Sequence, residues 1–156
     1  MAELKAKLRA DLTKGMKARE SATVAVLRMA LAAVTNEEVA GHTARELTDD
    51  EVRKVLAREV RKRKEAAEAF AGAGRDEQSR SELAEAKILQ GYLPAQLDDA
   101  ELRRLVDDAV AEIAEAIGER PGQRQMGQVM KAAHARVAGR AEGARVAALV
   151  KTALAG

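Results

Sequence analysis

Apolar residues recur at helical spacing along most of the chain, and this pattern predicts how the chain divides into helices. Near the amino terminus a leucine or methionine occupies every fourth position, which predicts a helix running to about Lys17. A second helix is expected from about Ser21. The apolar stripes predicted for these helices are Leu4, Leu8, Leu12 and Met16 in the first, and Val24, Leu27, Leu31 and Val34 in the second.

A polar stretch, residues 40–47, follows and is expected to be a loop. Thr48-x-x-Glu51 is a capping box, in which each residue satisfies a free backbone amide at a helix start. The third helix therefore begins after Thr48, and the glycines in AGAGRDE, residues 71–77, end it. A fourth helix is expected over about 77–90. The core face of the third helix is predicted to be Val52, Val55, Leu56, Val60, Ala67 and Phe70.

Gly91-Tyr92-Leu93-Pro94 marks the boundary between two parts of the chain. Proline cannot continue a helix, and it forces the residue before it into an extended conformation. We therefore expect an amino-terminal four-helix domain, residues 1–93, and a carboxy-terminal three-helix domain, residues 94–156. The predicted fold is all-α, with the two domains joined at this Tyr-Leu-Pro hinge.

Three further helices are predicted after the hinge. Asp98-x-x-Glu101 is a second capping box and opens the fifth helix, which Gly118 ends. ERPGQRQ, residues 119–125, is expected to be a loop. The predicted core positions are Leu102, Leu105, Val106, Ala109, Ile113 and Ile117 in the fifth helix, Met126, Val129, Met130, Ala133 and Val137 in the sixth, and Val146, Leu149, Val150 and Leu154 in the seventh.

Composition supports the all-α prediction. Of the 156 residues, 47% are apolar and 33% charged, with one Phe, one Tyr and no Trp. Met29, Met126 and Met130 lie on apolar stripes, and we expect them to fill the core. The chain has no cysteine, which suits the reducing cytoplasm where we expect it to reside. The apolar runs are shorter than the ~18 residues of a membrane span, so no membrane association is expected.

No catalytic residue, metal ligand set or cofactor-binding motif is recognisable in the sequence. Acidic pairs such as Asp107-Asp108 are expected on exposed faces or at helix starts, where water or the helix dipole stabilises them. His42 lies in the polar loop and is expected to be solvated. His134 lies beside the apolar stripe of the sixth helix, where a partly buried packing role is expected. The sequence therefore favours binding over catalysis.

The basic stretch RKVLAREVRKRK, residues 53–64, is a candidate for binding anions. Its last four residues are all basic and, at ~100° per residue, cover most of the helix circumference. Arg63 is expected to lay its stem along the apolar stripe, which leaves Arg61, Lys62 and Lys64 for phosphate contact. No aromatic residues are interleaved, so any RNA contact would be to backbone and shape. A solvated face without a ligand is the alternative interpretation.

The carboxy-terminal part holds a second candidate. Residues 96–117 have a net charge of −5, whereas residues 118–156 have a net charge of +5. Gly139-Arg140-Ala141-Glu142-Gly143 joins the last two helices, and its first glycine suits a left-handed turn. Gly143 would let the seventh helix start close against its neighbour.

Amides at the starts of the sixth and seventh helices could each hold an anion beside basic side chains. The RNA-binding candidates in this part are Arg124, Lys131, Arg136, Arg140 and Arg145. A purely structural corner, with Pro94 and the two glycines as turn residues, is the alternative interpretation.

Seven short motifs occur in an order and spacing that resemble a known family. They are Leu27-Arg28-Met29, Asn36-Glu37-Glu38, Lys62-Arg63-Lys64-Glu65, Phe70 with Gly74-Arg75, Tyr92-Leu93-Pro94-Ala95-Gln96-Leu97, Met126-Gly127-Gln128-Val129-Met130-Lys131, and Gly139-Arg140-Ala141-Glu142-Gly143. Over nearly its whole length the chain resembles the YqeY-like proteins of the GatB/YqeY family. It departs from the family pattern at Glu142, where aspartate is usual, and at residues 133–136, which commonly include proline.

The resemblance implies a two-part helical protein whose second half is similar to the tail of the B subunit of glutamine-dependent tRNA amidotransferases. That helical tail touches tRNA away from the chemistry. By this analogy Lys131, Arg140 and Arg145 are the positions expected to contact a tRNA backbone. The family carries a carbon–nitrogen ligase label, with glutamine as nitrogen donor, largely through this kinship.

Three hypotheses for function follow. The first is a non-catalytic module that binds tRNA or another structured RNA through basic helix faces. The second is an adaptor that docks on a protein such as an amidotransferase or a synthetase. The third is a glutamine-dependent amidotransferase activity of the chain itself, for which the sequence supplies no identifiable reactive residue.

Overall fold

Seven α-helices make up most of the protein, and the prediction of an all-α fold is confirmed. The structure is a computed structural model that describes residues 2–155, and no β-strand forms over this range. The helices are α1 Glu3–Lys17, α2 Ser21–Glu38, α3 Asp49–Gly72, α4 Asp76–Gln90, α5 Asp99–Ile117, α6 Met126–Val137 and α7 Gly143–Ala155, with a single 3₁₀ turn, Gln123–Gln125, directly before α6.

The helices form two compact units. Unit 1 spans Met1–Leu93 and contains α1–α4, and unit 2 spans Pro94–Gly156 and contains α5–α7. The division falls at the peptide bond before Pro94, where the proline ring prevents a helix from continuing.

Unit 1 is held together by apolar stripes that the four helices turn toward one another. One leucine from each helix is fully buried: Leu8, Leu27, Leu56 and Leu89. Complete burial of a leucine contributes about 1.5–3 kcal/mol, so these four side chains are a large part of the stability of unit 1. The predicted face of α3 is buried from Val52 to Ala67, and Phe70 at its end is half-buried.

Two methionines that the pattern placed in the core lie on the surface instead. Met16 is 50% exposed and Met29 is 57% exposed, so both predictions are wrong. Steps of four residues overshoot the 3.6-residue turn by about 40°, which places Met16 about 120° around α1 from Leu4. Gly15 is buried in its place. Met29 follows the buried Leu27 by two residues, or about 200° around α2.

The start of α3 satisfies backbone amides in two helices. Glu51 N donates to Thr48 Oγ1 over 3.2 Å and Thr48 N donates to Glu51 Oε2 over 2.9 Å, so the predicted capping box is confirmed. Asp49 Oδ1 accepts from Leu4 N over 3.0 Å, which satisfies an amide in the first turn of α1. Hydrogen bonds from Arg45 and from the Thr48 amide lower the pKa of Glu51 to about 2.

A buried ion pair joins α1 to the last turn of α2. Lys5 Nζ lies 2.7 Å from both carboxylate oxygens of Glu38, and the two side chains are only 9% and 12% exposed. The hydrogen bond from Lys5 holds the pKa of Glu38 below its ordinary value, although desolvation opposes it. Loss of either partner would leave the other charge buried without a counterion, which would lower the free energy of unfolding.

Tyr92 fastens the segment after α4 to α1. Its hydroxyl donates to Asp11 Oδ2, and Lys7 Nζ lies 5.4 Å from the ring centroid, within the range of a cation–π contact. Burial, followed by the hydrogen bond to Asp11, raises the pKa of Tyr92 well above its ordinary value. The hydroxyl therefore stays protonated and remains a donor across the physiological range.

Unit 2 encloses a separate core between its three helices. The buried members are Leu97, Leu102, Val106, Ala109, Val129, Ala133, Val137, Val146, Val150 and Leu154. The other predicted positions, Leu105, Ile113, Ile117, Met126, Met130 and Leu149, are partly buried. The capping box of Asp98 and Glu101 is confirmed, and Gly118 ends α5 in the left-handed conformation.

Replacing Tyr92 with phenylalanine tests whether its hydroxyl fastens unit 1. The change keeps the ring and removes a hydrogen bond to a charged acceptor, so we expect the free energy of unfolding to fall by about 1.5–3 kcal/mol. Urea denaturation measures this loss. In a double-mutant cycle with Asp11→Ala the two losses should not add, and full additivity would contradict the contact.

Replacing Glu38 with glutamine tests the buried ion pair. We expect a loss of about 3 kcal/mol near pH 7, because Lys5 keeps its charge without a carboxylate partner. Since the pKa of Glu38 is lowered in the folded chain, its contribution is present above the unfolded pKa and lost as the pH falls through the folded pKa.

Denaturation at about pH 7 and about pH 3 should therefore show a smaller acid-induced loss in Glu38→Gln than in the parent chain. Glu37→Gln is the matched control, since Glu37 forms an exposed pair with Arg58. Equal losses in the parent and in Glu38→Gln would contradict the role given to the pair.

Candidate nucleic-acid interface

The corner between α6 and α7 consists of residues 138–142. Ala138 and Gly139 both adopt left-handed backbone angles, with φ of 50° and 78°, so the prediction for Gly139 is confirmed. Gly143 begins α7, but a Cβ atom built there would meet nothing within 4 Å. The prediction that Gly143 permits close packing is wrong, because the corner leaves the amino end of α7 exposed.

Arg140 folds back onto the helix that precedes it. Its Nε donates to the carbonyl of Val137 over 3.0 Å, and its Nη2 donates to the carbonyl of Arg136 over 3.1 Å. These carbonyls lie in the last turn of α6, where no intrahelical donor remains for them. The guanidinium of Arg140 thus caps the carboxyl end of α6.

Arg145 reaches from the first turn of α7 to the start of unit 2. Its Nη2 donates to the carbonyl of Leu97 over 3.2 Å and to Asp99 Oδ1 over 2.8 Å. The amide of Leu97 in turn donates to the carbonyl of Arg140 over 2.8 Å. The corner therefore holds the segment that leads into α5, and the guanidinium of Arg145 is engaged in that contact.

Arg136 also has an internal partner. Its Nη2 lies 3.4 Å from Glu112 Oε1 on α5, and its side chain is 36% exposed. The three arginines predicted to bind RNA at the corner, Arg136, Arg140 and Arg145, therefore all contact other groups of unit 2.

Arg124, in the 3₁₀ turn before α6, and Lys131, on the outer face of α6, remain free. Both are exposed, and neither has a hydrogen bond or ion pair among residues 2–155. Gly127 and Gln128 lie exposed between them, and a Cβ atom at Gly127 would meet nothing within 4 Å. No side chain caps the amino end of α6, so this end presents the positive pole of the helix dipole beside the two cations.

His134 lies on this same outer face. It is exposed, so the predicted partly buried packing role is wrong. The buried stripe of α6 is Val129, Ala133 and Val137. His134 follows Ala133 by about 100° and follows Lys131 by three residues, which places it with the exposed lysine and not with the core. His42 is exposed in its loop, as predicted.

The basic stretch of α3 also contains both unpaired and paired residues. Arg61 is exposed and Lys64 is half-buried, and neither has a partner in the described part of the chain. Lys62 Nζ lies 3.3 Å from Glu59 Oε1, an exposed pair one turn apart. Of the three candidates on α3, Arg61 is therefore the most available to a ligand.

Arg63 is the buried member of this stretch. It is 4% exposed and lies 3.1 Å from Glu59 and 3.5 Å from Glu85, so it joins α3 to α4. Its Nη2 also contacts the sulfur of Met29 at 3.7 Å. The expectation that Arg63 turns inward is confirmed, and its charge is balanced by two carboxylates as well.

A groove of about 460 Å³ runs along α3 beside the end of α2. It is lined by Glu37, Arg45, Leu47, Glu51, Lys54, Val55, Ala57, Arg58 and Arg61. The basic stretch 53–64 identified from the sequence contains Lys54, Arg58 and Arg61, but only Arg61 was a named candidate, and Arg45 lies outside the stretch. The spacing of Lys54, Arg58 and Arg61, at i, i+4 and i+7, is the signal that could have identified the two α3 members.

Residues 2–155 lack two further features. No group of three or more His, Asp or Glu side chains in this range is arranged to hold a metal ion. No helix there is long and apolar enough to cross a membrane. The acidic pair Asp107-Asp108 lies on the exposed face of α5, as predicted.

The fold and these surfaces define a class: a small all-helical protein of two units with unpaired basic residues on exposed helix faces. Comparison with known sequences assigns a family within this class. The chain belongs to the YqeY-like protein family, whose family model matches residues 5–154. No curated protein gave a match to the chain.

Replacing Arg145 with alanine tests the structural role of the corner. We expect the free energy of unfolding of unit 2 to fall by about 1.5–3 kcal/mol, because the Leu97 carbonyl and Asp99 lose a charged donor. Hydrogen exchange at the amides of α5 and α7 reports the loss. Lys131→Ala is the control and should stay within about 0.5 kcal/mol of the parent. Equal protection in both variants would refute the role of Arg145.

Proposed function

We propose that the protein is a non-catalytic helical module that binds structured RNA, with tRNA as the first candidate, through the outer face of α6. One observation carries the proposal: Arg124 and Lys131 are exposed and unpaired, while Arg136, Arg140 and Arg145 have partners within unit 2. Arg124 lies in the 3₁₀ turn directly before α6, and Lys131 lies in the second turn of α6, so the two free cations flank the amino end of this helix.

The chemistry of this face fits a phosphate backbone. Lysine and arginine provide most of the affinity for nucleic acids, and a helix amino end adds partial positive charge where backbone amides meet an anion. The open space at Gly127 leaves room for a sugar–phosphate chain to approach the helix. No aromatic side chain lies between Arg124 and Lys131, so the contacts favour shape and backbone recognition over stacking on bases.

The amino end of α7 is a weaker site for the same ligand. Glu142 directly precedes this helix, and its carboxylate would repel a phosphate. Arg145, the nearest cation after it, already contacts Asp99. We therefore assign the anion-binding role to α6 rather than α7.

Kinship supports RNA over other polyanions. Membership of the YqeY-like family supports a relation to the helical tails of amidotransferase B subunits, which the sequence resemblance connects with tRNA. A reaction belongs to a specific site and not to a fold, so this kinship does not carry the amidotransferase activity with it.

The double change Arg124→Ala with Lys131→Ala tests the proposal. We expect affinity for a tRNA to fall about tenfold near 50 mM salt, and the slope of log K against log salt to decrease in magnitude by about two, because each lost cation releases one counterion fewer. Fluorescence anisotropy at several salt concentrations measures both quantities.

The control removes the same charge elsewhere in unit 2. Arg103 and Arg104 are exposed on α5 and lack partners within the described residues, so Arg103→Ala with Arg104→Ala has an equal effect on net charge. This control should retain most of the affinity. No tRNA binding by the parent chain at low salt, or equal losses in the two variants, would refute the proposal.

A further inference from the structure

We infer that the groove along α3 in unit 1 is a docking site for an acidic helix of a protein partner. The inference concerns a different unit and different cations from the α6 face, so it does not depend on RNA binding. It rests on three observations: a line of cations at helical spacing, a fixed ion pair at one end, and an apolar floor.

The line of cations consists of Lys54, Arg58 and Arg61. Their spacing of i, i+4 and i+7 places them on one face of α3 over about 10 Å. Lys54 and Arg61 have no partner in the described part of the chain. Arg58 lies 3.2 Å from Glu37, and both side chains are about half exposed, at 50% and 45%. Exposed pairs contribute about 0–1 kcal/mol, so a partner carboxylate can displace Glu37 from Arg58.

A fixed ion pair bounds one end of the groove. Arg45 Nη1 and Nη2 lie 2.9 Å and 2.7 Å from the two carboxylate oxygens of Glu51, in a bidentate arrangement. Glu51 is also held by the capping box, so this pair stays in place when a ligand approaches. Between this pair and the cations the floor is apolar, with Leu47 and Val55 almost fully buried.

The mixed charge of the rim favours a protein helix over a nucleic acid. Glu37 and Glu51 lie among the cations and would repel a continuous row of phosphates. A helix can instead place carboxylates at i, i+4 and i+7 only, which matches Lys54, Arg58 and Arg61 one to one. Its neutral or apolar residues would then meet the acids and the floor, and such charge complementarity sets partner choice and register.

The test uses the full chain and two labelled, alanine-rich helical peptides of about 20 residues. One carries glutamates at i, i+4 and i+7, and the other has the same composition with its glutamates spread around the helix. Three exposed pairs at up to about 0.5 kcal/mol each predict about tenfold tighter binding of the matched peptide at low salt. Fluorescence anisotropy measures the ratio.

Two variants with the same net charge locate the binding. Lys54→Gln with Arg61→Gln should abolish the preference for the matched peptide. Lys14→Gln with Lys17→Gln, on exposed positions of α1, should retain it. Circular dichroism of both variants checks that the helices are intact, which we expect because all four side chains are exposed.

Four outcomes would overturn the inference. The first is equal binding of the two peptides, and the second is equal loss in the two variants. The third is a larger loss of tRNA affinity from the groove variant than from Arg124→Ala with Lys131→Ala, which would make the groove an RNA surface. If sedimentation shows that the chain alone self-associates through Lys54 and Arg61, the occupant is a second copy and the inference also fails.

Discussion

The hydrogen bonds that hold Leu97 against the corner after α6 are the constraint on which unit 2 depends. The segment that enters α5 is not helical, so its backbone groups need partners from elsewhere in the fold. The Leu97 amide donates to the Arg140 carbonyl, and its carbonyl accepts from Arg145. Both polar groups of a buried residue are satisfied in this way, the amide by a main-chain carbonyl of the corner and the carbonyl by the side chain of Arg145.

This constraint also decides which cations can act on a ligand. The basic part of unit 2 has a net charge of +5, yet four of its arginines, Arg120 among them, are directed at carbonyls or carboxylates of the same unit. Arg124 and Lys131 remain free, the first in the turn before α6 and the second on the outer face of α6. In unit 1, Lys54 and Arg61 of α3 are likewise free, whereas Arg63 of the same helix is buried between two glutamates. Net charge alone identifies neither surface.

Features that depend on neighbours in sequence could be predicted, and features that depend on the folded arrangement could not. Both capping boxes, the loop over 40–47 and the left-handed Gly139 follow from local backbone chemistry. The apolar stripes of α5, α6 and α7 follow from helical periodicity. Met16 was misplaced because a four-residue repeat drifts around the helix. The cap that Arg140 forms on carbonyls three and four residues earlier is local, and the sequence interpretation missed it. The role of Arg145 could not be predicted, since its acceptor Leu97 lies 48 residues away.

The two proposed surfaces share a structural property that separates them from the corner. In each surface the proposed cations are exposed, while other residues bury the helix: Val129 and Ala133 hold α6 in place, and Val52 and Leu56 hold α3. Exposed side chains on such a helix contribute little to stability, so their charges can change with small effect on the fold. The corner arginines lack this independence because they satisfy buried backbone groups. A loss of RNA binding on changing α6 can therefore be interpreted as a lost contact, whereas the same loss on changing the corner would also reflect a weakened fold.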